Sequence, residues 1–65
     1  MTRLLTPAEV ADLTRLAPQT LAHWRSAGKG PPYIKVSTYR VMYPADRLEK
    51  WLDSRLVVPN GRARA

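Results

Sequence analysis

The sequence predicts a mostly α domain carrying one small β-hairpin, in the order helix–helix–hairpin–helix. Three observations predict it. Two proline-opened segments with helix-start chemistry precede Gly28. A run of β-branched and aromatic residues with period-two spacing fills positions 33–43. A segment with apolar residues at i, i+3 and i+4 follows Pro44. With 65 residues there is room for one small domain, and 45% hydrophobic residues are too many for a disordered chain.

The first helix is marked by Thr6-Pro7-Ala8-Glu9, a capping box with Thr6 as N-cap, proline at N1 and glutamate at N3. Leu5 before the cap and Val10 at N4 match a hydrophobic staple. Val10 and Leu13 share a face beside the small Ala11, so the helix is expected from Pro7 to Leu13 or Thr14. Pro18 opens the second helix. There Leu21 and Trp24 form the inner face, while Gln19, Ala22, His23 and Ser26 form the outer one and Thr20 sits at the boundary. Gly28 is the expected stop.

Lys29-Gly30-Pro31-Pro32 breaks the chain. Ile34 and Val36, then Val41 and Tyr43, alternate as strand residues facing inward, with Lys35 and Arg40 displayed near a tip at Ser37-Thr38. No glycine marks the turn, so a loop of up to four residues is allowed. Pro44 is expected at N1 of the last helix, where Leu48, Trp51, Leu52 and Arg55 follow helical spacing and the helix fades between Arg55 and Val57. The expected core is Leu5, Val10, Leu13, Leu16, Leu21, Trp24, Ile34, Val36, Val41, Tyr43, Leu48, Trp51 and Leu52. Residues 1–57 thus read as one domain and 58–65 as a flexible basic tail, with Arg62 and Arg64 in it.

The composition narrows the function. The net charge is +6, and no acid lies between Leu13 and Ala45, a stretch that holds Arg15, Arg25, Lys29, Lys35 and Arg40. A single-sign middle segment is what a polyanion-binding surface requires. There is no cysteine and one histidine, so neither a zinc site nor a histidine cluster can be built, and no metal or cofactor is expected. The five acids fall on two helix faces, and nothing resembles a phosphate loop, so the chain is not expected to be an enzyme. No apolar run suits a bilayer span or a signal peptide, and the lack of disulfides points to a reducing compartment.

Two short helices, a hairpin and a helix make a winged helix-turn-helix. In that arrangement the second helix enters the major groove of DNA. Pro18, Gln19, Thr20 and His23 lie in the half of the helix that meets base edges, and glutamine has the reach to pair adenine. Arg25, Lys35, Thr38 and Arg40 are the expected phosphate and wing contacts. Trp24 and Trp51 are assigned to the core rather than to base stacking, because both lie on apolar faces. The rival of another class is a basic protein-interaction module, which would show no preference among duplexes.

Leu5-Thr6-Pro7-Ala8-Glu9-Val10-Ala11, then Thr20-Leu21, Trp24-Arg25, Gly28, Pro31-Pro32-Tyr33, Tyr43, Leu48 and Trp51-Leu52 occur in an ordered series. In this series the chain resembles the small MerR-like winged helix-turn-helix proteins, which include phage excisionases and AlpA-type regulators. The resemblance covers about Leu4 to Leu52. It implies DNA binding by the second helix and the wing, in the cytoplasm of a bacterial host cell. In the excisionase members it implies a recombination directionality factor that binds and bends attachment-site DNA beside other copies of itself and directs an integrase towards excision. The AlpA-type alternative is a small transcriptional regulator. Three positions depart from the pattern. Arg15 stands where the family often has the turn glycine, at a cost of about 1 kcal/mol if its φ is positive, and extension of the first helix is the alternative. Ala17 cannot cap the second helix. Ser37-Thr38 replaces the glycine common at the wing tip.

Overall fold

A computed structural model describes residues 2–59. Most of the expected basic tail, with Arg62 and Arg64, lies outside the described residues. The chain forms β1 (Leu4–Leu5), α1 (Pro7–Thr14), α2 (Pro18–Ala27), β2 (Ile34–Ser37), β3 (Arg40–Pro44) and α3 (Ala45–Ser54). This is a winged helix-turn-helix in the expected order, with one addition, β1.

The capping box forms as the residues require. The Glu9 N–H donates to Thr6 Oγ1 at 3.1 Å, and the Thr6 N–H donates to Glu9 Oε1 at 2.8 Å. The helix buries Val10 and Ala11. With the half-buried Pro7 and Thr14 these form an i, i+3, i+4, i+7 stripe. Leu13 lies about 110° from the centre of that stripe and is 64% exposed, which removes it from the expected core.

The first helix does not extend past its turn. Arg15 takes the left-handed conformation at φ 61 and ψ 25, and its N–H donates to the Ala11 carbonyl. The Leu16 N–H reaches the same carbonyl at 3.1 Å. These bonds satisfy α1's end and carry the chain to Ala17, from whose carbonyl α2 starts with a 2.9 Å bond donated by the Thr20 N–H. As expected, Ala17 contributes no side-chain cap. At the far end of α2, Gly28 has φ 73 and donates its N–H to the Arg25 carbonyl, and the Lys29 N–H reaches the Trp24 carbonyl at 2.9 Å. This is a Schellman closure.

The sheet order is β1-β3-β2, all antiparallel. Leu4 pairs with Pro44 and Leu5 with Tyr43, and the Ala45 N–H donates to the Arg3 carbonyl at 2.8 Å. The N-terminus is thereby tied to the start of α3. In the hairpin Ile34 faces Met42 and Lys35 faces Val41, so Ile34 lies on the sheet face opposite Val41 and Tyr43. The register shifts by one residue between Lys35 and Ser37, leaving Val36 at the irregularity. Ile34 and Val36 are 45% and 54% exposed, not inward-facing as the alternation predicts. The turn is Thr38–Tyr39, one residue later than expected. Among the described residues Arg15 is the one non-glycine at positive φ. The loop therefore lacks the mirror-image turn that suits a two-residue hairpin, and the register shift beside it absorbs the difference.

Pro44 is the N-cap of α3 rather than its first residue, and Arg55 is the C-cap. The core joins Leu5, Val10, Ala11, Leu21, Tyr43 and Leu48, with Leu16, Trp24, Ala45 and Trp51 packed at its margin. Leu52 belongs to the rim, at 42% exposed, rather than to the core.

Candidate nucleic-acid interface

The buried Leu21 fixes how α2 rotates. With that side chain inward, Gln19 and His23 are exposed on the outer face, Thr20 is half-buried at the edge, and Pro18 is exposed at the first turn of the helix, on the side of Leu21. Four of the residues expected from the sequence therefore stand on the first six positions of one helix, Pro18 to His23.

Arg25 points elsewhere. Its Nη1 donates to Tyr43 Oη at 2.8 Å, and its guanidinium lies 5.9 Å from the centre of the Tyr33 ring. The Tyr33 and Tyr43 rings are themselves 6.1 Å apart and tilted by 54°. Because Tyr43 is fully buried on β3, this side chain ties α2 to the wing and holds the angle between them. Nothing in the linear pattern marks the bond, since the partners are 18 residues apart.

Between α2 and the hairpin runs a cleft lined by Arg25, Ser26, Tyr33, Lys35, Thr38 and Tyr39. Three of the expected contact residues, Arg25, Lys35 and Thr38, thus come together. Arg40 does not line that cleft. It is exposed on the other face of the hairpin, in a second groove lined by Thr6, Pro7 and Met42 together with Arg25 and Tyr39, which border both. The pairing explains the split: Lys35 is opposite Val41, and Arg40, one residue before Val41, projects from the reverse side.

The sequence reading missed Ser26, Tyr33 and Tyr39 in this cleft. The proline pair before Tyr33 was a signal that its ring would be held. Tyr39 carried none beyond its place near the turn.

Trp24 and Trp51 meet with ring centroids 5.9 Å apart, tilted by 53°. Both are half-buried, and the Arg55 guanidinium lies 4.8 Å over the Trp51 ring. They are packing residues at the margin of the core.

The geometry defines a class: a helix-turn-helix whose second helix presents polar side chains and is flanked by a cationic wing. The helix-turn-helix domain family matches residues 4–56, and the chain belongs to that family. Membership supports DNA as the ligand. No curated protein and no solved structure shows significant similarity to the chain. Among the described residues no group of acidic, histidine or cysteine side chains is placed to hold a metal ion, and no helix is long and apolar enough to cross a membrane.

Proposed function

We propose that this chain binds duplex DNA sequence-specifically, bends it, and acts as a phage excisionase that sets the direction of integrase-mediated recombination. The observation that carries duplex binding is the pairing of two surfaces. Exposed Gln19 and His23 stand on α2, and the α2–wing cleft beside them is lined by Arg25 and Lys35. In this reading Gln19, Thr20 and His23, behind Pro18, meet base edges in the major groove. Arg25, Lys35, Thr38 and Arg40 hold phosphates and set the register.

The excisionase role rests on the resemblance to the MerR-like excisionases. A domain of this size, residues 1–57 with a basic tail at 58–65, acts by shaping DNA and touching other proteins. Copies side by side on an attachment site add modest bends whose elastic cost their phosphate contacts offset. Asp46, Glu49, Lys50 and Asp53 are all exposed on α3, a mixed-charge face suited to a neighbouring copy or an integrase.

Paired integration and excision reactions, each with and without the protein, test this reading. Excision is expected to require the protein and integration not to. Equal yields in both directions would favour an AlpA-type transcriptional regulator, and binding without preference among duplexes would favour a basic protein-interaction module.

A further inference from the structure

A groove of about 410 Å³ lies where the α1–α2 turn, the breaker after α2 and the end of α3 meet. Leu16, Trp24, Trp51 and Leu52 give it an apolar wall, and Lys29 and Arg55 are its charged side chains. It shares no lining residue with the α2–wing cleft or with the groove that holds Arg40. Folding leaves this surface unfinished. Both indoles are half-buried, Leu52 is exposed, and the exposed Leu56 and Val57 follow directly after Arg55. Apolar side chains gathered in the open mark a site of interaction, and tryptophan and arginine are the residues that carry most binding energy where proteins meet.

Charge and ring geometry decide what covers it. Two cations line the groove and no acid does. The indoles are tilted by 53°, with Arg55 over Trp51 and Gly30 against Trp24, so they form a wall rather than open platforms on which bases stack. The last residues of the chain bring Arg62 and Arg64, and a second copy brings a net charge of +6, so both meet the groove with its own sign. The acidic and apolar surface that a second copy has to offer is Leu13 beside Glu9 and Asp12 on α1. Glu9 is already engaged there, accepting from the Thr6 N–H at 2.8 Å and pairing with Arg3 at 3.8 Å.

We propose that this groove docks a segment of a different, acidic protein. A bulky apolar side chain of that segment packs against Trp24 and Trp51, and carboxylates flanking it pair with Lys29 and Arg55. The overall charge of the chain speeds the approach of such a partner. The inference goes beyond DNA binding and does not depend on it. Because the surfaces are separate, the chain can hold duplex and partner together.

The test selects peptides from a random library displayed on phage, then titrates tryptophan-free synthetic copies against the emission of the chain's two tryptophans. Wild type is expected to enrich a bulky apolar residue flanked by Asp or Glu, and to bind these peptides equally well with duplex DNA present. Lys29→Glu with Arg55→Glu should weaken them about tenfold and, in its own selection, enrich flanking Lys or Arg instead. Arg47→Glu, a charge reversal on α3 outside the groove, should keep the wild-type preference. Thermal melts accompany each variant, and Lys29→Glu alone repeats the comparison with Arg55 left over Trp51. Enrichment without carboxylates, or an acid preference that the reversals leave unchanged, overturns the assignment. Concentration-dependent sedimentation of the chain alone, abolished by Leu13→Asp, overturns it in favour of a second copy. A stronger emission response to oligothymidine than to any selected peptide overturns it in favour of nucleic acid. A chain that selects no duplex removes the proposed DNA binding and leaves the docking groove standing.

Discussion

Arg15 shows how one residue is held in a conformation its side chain disfavours. Its left-handed φ of 61 places two N–H groups on the Ala11 carbonyl and turns the chain into α2. Glycine avoids about 1 kcal/mol of the Cβ crowding and adds about 0.5 kcal/mol of unfolded-chain freedom. Arg15→Gly is therefore expected to raise stability by about 0.5 kcal/mol, read as a higher urea midpoint at unchanged slope. Arg15→Ala keeps the Cβ and should leave the midpoint in place. A second contrast concerns the proposed readers and anchors. Gln19→Ala or His23→Ala should change which duplex is preferred, at a cost of about 1–3 kcal/mol on the best site. Lys35→Ala or Arg40→Ala should weaken all duplexes alike. Selection from a random pool by each variant distinguishes the two groups, and the reverse pattern would exchange their roles.

At the scale of elements, the join between α2 and the wing carries the most consequence. Gly30 has φ 92, and a Cβ built there would stand 2.8 Å from Trp24 Cε3. The breaker after α2 is thus fitted against the indole, and Pro31 beside it is buried. Gly30→Ala is expected to cost about 1–2 kcal/mol, and Trp24→Ala about 3 kcal/mol through lost packing at the core margin. If the clash is the cause, Gly30→Ala should cost less in the Trp24→Ala background, because the ring it strikes is gone. Thermal melts of the four chains measure that difference. Element boundaries were legible at three strong local signals, the Thr6–Glu9 box, Pro18 and Gly28, whereas Pro44, expected at N1, is the N-cap. β1 was not legible, because two residues cannot display a period and its partner lies some forty positions away.

Over the whole molecule, charge is the dominant property for a nucleic-acid partner. Five cations stand between Arg15 and Arg40 with no acid among them. Engagement of about four or five phosphates gives a slope near −4 in log K against log salt. Titrations of a single duplex across a salt series check it, and a slope near zero would remove the electrostatic basis of the proposed binding.

The sequence by itself determined the order of the three helices and the hairpin, the Thr6–Glu9 box, the stop at Gly28, the inward rotation of α2 through Leu21 and Trp24, and the polar residues that α2 displays. Each follows from interactions within a few residues, so the neighbouring letters suffice to state it. Only the tertiary structure decided the register of the hairpin, and with it which of Ile34, Val36, Lys35 and Arg40 faces where. Alternation along a strand gives two faces but not which one is covered. That depends on the pairing of Lys35 with Val41 and on the core contact of Tyr43. The same distance in sequence hid the Arg25–Tyr43 bond and the bare tip at Tyr39. Both exist because β3 is pinned between β1 and β2, an arrangement that no local stretch of the chain encodes.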